Sequence, residues 1–212
     1  MELTKEFYEA AEKNFDSDRA NTVAMNAVMN NGLLKSAAVA QTARELPHTY
    51  SISLKQGNIT SQKQSGRCWM FAALNVMRFD IIHSLNLETF ELSQSYPLFY
   101  DKLEKSNYFL ESILQTLDEP TNGRLISYLL QSPVGDGGQW DMFANLVRKY
   151  GVVPKDAMPE SVPSSSTREL CSVLTEKLRT YACQLRSAHA KGASMEDLQA
   201  QKAEMMDEVY RI

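Results

Sequence analysis

Gln62-Lys63-Gln64-Ser65-Gly66-Arg67-Cys68-Trp69-Met70-Phe71-Ala72-Ala73 is the stretch on which the reading of this chain turns. A loop of polar and small residues gives way at Cys68 to a strongly helical pattern. Met70, Leu74, Met77, Ile81 and Leu85 form one stripe, thickened by Phe71, Phe79 and Ile82. That pattern predicts a helix over 68–85 that is buried on most sides. Cys68 falls in its first turn, where free backbone N–H groups and the positive end of the helix dipole favour a thiolate. The thiolate is the form in which a cysteine attacks. Attack on an amide carbonyl creates an oxyanion, which needs preorganised donors. The Cys68 backbone N–H is one candidate. The Gln62 carboxamide, a donor without charge, is the other. Gly66 lets a substrate backbone or another segment approach closely. Arg67 reads either as a residue that holds the loop or as a solvated charge.

Downstream, Asp136-Gly137-Gly138-Gln139 makes a tight loop between helical patterns at 124–131 and 140–150. Paired glycines allow an extended peptide to hydrogen-bond the backbone where no side chain keeps it away. The plainer reading is a tight interhelical turn. Further helices are expected at 95–106 and 109–117. Ser161 to Ser166 reads as a polar connector. Ser166-Thr167-Arg168-Glu169 reads as a capping box before Leu170, Leu174, Leu178, Tyr181 and Leu185 at helical spacing. Ser194 and Asp197 open a last helix with Met195, Leu198, Met205, Met206 and Val209. Its methionines suit a core or a subunit contact better than a cofactor site. The apolar ending Val209-Tyr210-Arg211-Ile212 reads as a break before a further element. Toward the start, Thr4 can cap a helix with Phe7, Ala11 and Phe15, and a second helix over 18–31 ends at Gly32. Tyr50 to Leu54 alternates like a short strand, and Gly57 to Gln62 is a loop.

The bulk properties narrow the class. At 212 residues with 43% hydrophobic and 23% charged side chains, the chain can bury a real core. A net charge of −4 provides no basic field for a phosphate backbone, so nucleic acid is not an expected partner. No apolar run approaches the ~18 residues needed to span a bilayer, and the amphipathic start lacks the pattern of a secretory signal. Cys68, Cys171 and Cys183 make a poor disulfide framework and no metal set, which fits a reducing cytoplasm. Cys171 and Cys183 read as structural, and Trp69 either shapes an active-site wall or packs in the core.

A thiol peptidase also needs an imidazole base and a group to orient it. His48 reads as a loop residue. His83 follows Cys68 by fifteen residues on one helix, about 22 Å along its axis. His189 ends an amphipathic helix, where a positive side chain suits the C-terminal dipole. None of the three is a good base for Cys68.

The quoted segment, with Phe90-Glu91-Leu92-Ser93-Gln94-Ser95-Tyr96, Asp101-Lys102-Leu103-Glu104-Lys105-Ser106-Asn107, Asp136-Gly137-Gly138-Gln139-Trp140-Asp141-Met142 and Lys149-Tyr150-Gly151-Val152-Val153-Pro154-Lys155, resembles the bleomycin hydrolase and bacterial aminopeptidase C branch of the papain-like cysteine peptidases. The resemblance implies an α+β papain-like fold of which this portion is mostly helical, its central helix starting at Cys68. It implies an N-terminal helical arm and strand over 1–60, a papain-like helical domain over 61–160, and a helical insertion over 161–212. A strand-rich domain with the catalytic histidine and asparagine would follow. Cys68 would be the nucleophile, Gln62 the oxyanion donor, and Gly137 and Gly138 the holders of substrate backbone, with no cofactor and no metal. The resemblance further implies a cytoplasmic aminopeptidase that releases N-terminal residues from peptides through an acyl-thioenzyme, as a hexamer with sites facing an internal channel. The alternative is a catalytically incomplete chain acting only in assembly or structure. A thiol redox protein is a weak third reading, because no Cys-x-x-Cys pair is present.

Overall fold

The Thr4 hydroxyl accepts the Phe7 N–H and starts the first helix, α1 (Lys5–Asp16). Asp18 caps α2 (Arg19–Asn31) through the Ala20 N–H, and Gly32 closes it at φ +79°, a conformation unfavourable for residues with a Cβ. The short helices α3 (Leu33–Ala37) and α4 (Ala40–Glu45) follow. In this computed structural model the described residues are 3–47, 49–54 and 57–212, so His48 lies outside them. Contacts divide the chain into two units, Met1–Leu54 and Lys55–Ile212. In the first, no residue of α1, α2 or α3 is buried.

Tyr50 to Leu54 does not form the expected strand, and Tyr50 and Ile52 are exposed. An alternating pentapeptide becomes a strand only when a neighbouring segment completes its hydrogen bonds. Among the described residues, such pairing is confined to two isolated bridges, Gln64 with Ser166 and Leu92 with Pro154.

The second unit holds α5 (Cys68–Ser84), α6 (Ser95–Gln115), α7 (Arg124–Gln131), α8 (Trp140–Tyr150), α9 (Val162–Ser165), α10 (Arg168–Ala190) and α11 (Met195–Arg211). Helix α6 is its spine. Leu98, near the α6 start, joins Met70, Ala73 and Leu74 of α5 and Phe143 and Leu146 of α8 in one core. Phe109, Leu110, Ile113 and Leu114, farther along, join Leu174, Leu178, Tyr181 and Leu185 of α10 and Leu198, Met205 and Val209 of α11 in another. The expected break between helices at 95–106 and 109–117 is absent. The Ser106 hydroxyl folds back onto the Lys102 carbonyl, and the apolar residues beyond it are drawn into the second core.

Two further expectations are corrected. Helix α5 is buried on one side only, since Ala72, Val76, Asp80 and Leu85 are exposed. The capping box lies within the connector, where Ser161 and Ser164 cap reciprocally and start α9. Thr167, at the N-cap of α10, makes no capping bond because its hydroxyl turns to Asp136. Ser194 and Asp197 do form the reciprocal cap expected at α11, each side chain accepting the other residue's backbone N–H.

Candidate active site

Cys68 is the first residue of α5, and its side chain is exposed. Arg67 stands at the N-cap without a side-chain capping bond, so no side chain caps the first turn. The first intrahelical bond closes from the Phe71 N–H to the Arg67 carbonyl at 3.0 Å. The N–H groups of the first turn precede that ladder and point outward beside the thiol. Gln62, half-buried, begins the turn that leads to them. Its carbonyl accepts the Ser65 hydroxyl at 2.7 Å, and Lys63 adopts φ +55°. The Gln64 N–H donates to the Ser165 carbonyl at 2.9 Å, tying the same loop to α9.

Arg67 is wholly buried. Its guanidinium makes a two-pronged pair with Glu160 at 2.8 and 2.9 Å, donates through Nε to Ser65 Oγ at 2.8 Å, and lies over the Phe71 ring at 5.1 Å. Burial pushes the Glu160 carboxyl up, but Arg67 and the Ser164 hydroxyl outweigh it and hold the group below its ordinary range. Of the two readings open from the sequence, loop-holding is what the structure shows. The partner lies 93 residues away, where no local pattern points to it.

The Asp136–Gly138 loop lies directly against this segment. The Gly66 N–H donates to Asp136 Oδ2 at 3.0 Å, and the Trp69 indole N–H donates to the Asp136 carbonyl at 2.9 Å. A Cβ on Gly66 would stand 2.6 Å from the Asp136 Cβ, so the close approach at Gly66 is taken by Asp136. On Gly138 a Cβ would stand 2.5 Å from the Trp69 ring, whereas the space around Gly137 is open for 4 Å. Gly138 therefore lacks a side chain because the indole occupies its place. Gly138→Ala is expected to lower stability by about 1–3 kcal/mol through overpacking, while Gly137→Ala stays within about 0.5 kcal/mol. Urea midpoints of the two variants check this, and equal midpoints would count against the indole's role.

Two lysines of α6 clamp the loop from beneath. Lys102 donates to Asp136 Oδ1 and to the Gly135 carbonyl, both at 2.7 Å. Lys105 donates to the carbonyls of Gly135 at 3.0 Å and Gly137 at 2.7 Å, and pairs with Asp101 at 2.8 Å. The Thr167 hydroxyl donates to Asp136 Oδ2, and Cys171 Sγ stands 3.2 Å from Oδ1. Burial alone would raise the Asp136 carboxyl, but Lys102, Thr167 and the Gly66 N–H hold it far below the usual carboxylate range. Burial raises the Asp101 carboxyl and lowers the Lys105 ammonium, each partly offset by the other. Sequence reading passed over Asp136, Lys102 and Thr167. The available signal was an acidic residue immediately before a Gly-Gly pair, with two lysines three apart on a helix beside an aspartate.

Neither described histidine approaches Cys68. His83 Nδ1 engages the Phe79 carbonyl of its own helix at 2.8 Å. His189 lies 3.9 Å from Asp118 at the far end of α10, roughly 30 Å along the axis from the Thr167 end that meets Asp136. Among the described residues no group of three metal-ligating side chains forms, and no helix is long and apolar enough to cross a membrane.

Residues 2–212 match the model of the peptidase C1-like family. The chain belongs to that family. Within it, aminopeptidase C of Lactobacillus delbrueckii subsp. lactis is 42% identical over 211 residues, covering 100% of this chain and 47% of that protein. Bleomycin hydrolase of Homo sapiens is 39% identical over 214 residues, covering 99% of this chain and 47% of that protein. The crystal structure of PepW from Lactobacillus rhamnosis superposes with a TM-score of 0.92 at 45% identity, over 99% of this chain and 47% of PepW. The chain thus spans about half the length of the C1-like relatives it matches. Over that half it has their fold, and the resemblance seen in the motifs extends across it.

Proposed function

We propose that this chain carries the nucleophile of a cysteine aminopeptidase that removes N-terminal residues from peptides through an acyl-thioenzyme. The observation that carries the reading is Cys68, an exposed thiol at the mouth of α5 with no side chain capping the turn. The names of its relatives, aminopeptidase C and bleomycin hydrolase, support peptidase chemistry. In this reading the Cys68 thiolate adds to the scissile carbonyl. The Cys68 N–H and the Gln62 carboxamide receive the oxyanion, the amine leaves with a proton, and water then releases the acyl group.

In this reading the proton donor and its orienting partner come from a segment outside these 212 residues, because neither described histidine approaches Cys68: His83 engages the Phe79 carbonyl of its own helix and His189 stands at the far end of α10. Cys68 does not line the cleft of ≈ 540 Å³ between α6 and α8, and it is exposed. That suits a site whose second wall is supplied by the strand-rich part of an α+β papain-like fold. The Gly137 side of the loop, free of obstruction, is the place for substrate backbone, and Gly138 supports it through Trp69. A cytoplasmic, hexameric enzyme without cofactor is the form in which we expect it to act.

The test is product analysis on the protein that contains this chain together with that segment, under reducing conditions. Stepwise loss of N-terminal residues from short peptides, blocked by N-terminal acetylation, is expected. Cleavage of acetylated peptides at internal bonds would replace the aminopeptidase reading. Gln62→Ala is expected to reduce kcat by about 10²–10³, the cost of removing one oxyanion donor. A kcat unchanged in that variant would remove Gln62 from the site.

A further inference from the structure

Asp136 touches both halves of the candidate site, and its oxygens are all engaged by the protein itself. Its carboxylate takes the Gly66 N–H two residues before Cys68, and its carbonyl takes the Trp69 indole N–H one residue after. Gly137 and Gly138 follow it directly in the chain. Any shift of this one residue therefore moves the thiol segment and the Gly-Gly loop relative to each other. The fit leaves no slack, because Gly66 meets the Asp136 Cβ and Gly138 meets the indole at distances no added Cβ could share.

The charges around it are balanced and largely hidden. Asp101 and Lys102 are buried, Lys105 and Asp136 are half-buried, and the four form three ion pairs, Lys102 with Asp136 and with Asp101 and Lys105 with Asp101, whose lysines also hold the Gly135 and Gly137 carbonyls. Thr167 and Cys171 close the remaining side from the start of α10. A carboxylate with this many donors is far more constrained than a turn between two helices requires.

We infer that Asp136, with Lys102 as its counter-cation, is a positioning residue that fixes the Cys68 segment and the Gly137–Gly138 loop in one register. The inference rests on the peptidase reading for its consequence in turnover, though its geometry does not depend on it. Reacting groups displaced by about 1 Å lose roughly 10²-fold in rate. A carboxamide at 136 still fills the space and can accept the Gly66 N–H, yet it leaves Asp101, Lys102 and Lys105 with one unbalanced buried positive charge, Lys102 keeping only the longer contact with Asp101 at 3.9 Å, and that imbalance pulls the loop apart.

The experiment compares Asp136→Asn with Asp136→Asn/Lys102→Met in the complete protein. It measures kcat and KM on a short peptide per folded molecule, with folding followed by circular dichroism. The alkylation rate of Cys68 by iodoacetamide is measured relative to exposed Cys183 on α10. Expected for Asp136→Asn are a kcat lower by about 100-fold, a KM changed by less than about threefold, and a Cys68:Cys183 alkylation ratio lower by about tenfold. The double variant, with charge balance restored, should regain at least about tenfold in kcat. Wild-type kcat per folded molecule in Asp136→Asn, or no recovery in the double variant, overturns the inference. A wild-type protein that turns over no peptide would instead remove the peptidase reading. The alkylation ratio then decides alone, a fall supporting the positioning role and an unchanged ratio refuting it.

Discussion

Peptide turnover by the complete protein is expected to fall by on the order of 10⁴-fold or more in Cys68→Ala, because the acyl-enzyme has no other attacking atom. Three free cysteines are present, and the structure separates them. Cys171 is half-buried against Asp136, and burial pushes its thiol up, which disfavours the thiolate. Cys183 is exposed but sits well inside α10, beyond the first turn where free N–H groups could favour a thiolate. Only Cys68 combines exposure with a helix mouth whose N–H groups no side chain has claimed. Steady-state rates under reducing conditions make the comparison, with Cys183→Ala as a control expected within about twofold of wild type. Turnover retained in Cys68→Ala would end the assignment. Turnover lost equally in Cys183→Ala would show that the assay reads folding rather than chemistry.

What could be read from sequence was what is local in sequence. Helices α7 and α8 and the reciprocal cap of Ser194 and Asp197 follow from periodicity and capping chemistry within a few residues. Cys68 at the start of α5 follows from the same kind of signal. The failures occur where distant partners override a local preference. Thr167 leaves its capping position for a carboxylate 31 residues away, and α6 runs through Asn107 because Phe109 and Leu110 are claimed by α10 and α11. The same divide runs through the site. Cys68, Gln62 and the glycine pair stand in short recognisable motifs, while the groups that hold them meet across 70 residues from Gly66 to Asp136 and 93 from Arg67 to Glu160. No spacing rule records such a pairing. A buried arginine next to the nucleophile looks, in one dimension, like any charged loop residue.

That arginine carries the second large effect. Arg67→Met is expected to destabilise the fold by about 3 kcal/mol at pH 7, the low end of what breaking a buried pair costs, since the partner Glu160 keeps a 24% exposed side chain. Methionine keeps an unbranched apolar stem, so the loss is mainly of charge pairing, of the Ser65 bond and of the guanidinium's place over Phe71. The pH dependence follows from the depressed Glu160 carboxyl. A group whose pKa is lower folded than unfolded adds stability above its unfolded value, here near 4.5, and loses it as pH falls through the folded value. The gap between wild type and Arg67→Met should therefore be widest near neutrality and shrink below about pH 4.5 as Glu160 takes up its proton. Adding Glu160→Gln to Arg67→Met removes the stranded carboxylate and should recover more than half of the loss at pH 7. Urea unfolding of the three proteins at neutral and acidic pH measures all of this. A gap under about 1 kcal/mol at pH 7, or one that widens in acid, would mean that the pair is bystander to the loop it joins. A gap of the expected size and sign would place the anchor of the nucleophile in an ion pair whose arginine, one residue before the thiol, is hidden from solvent.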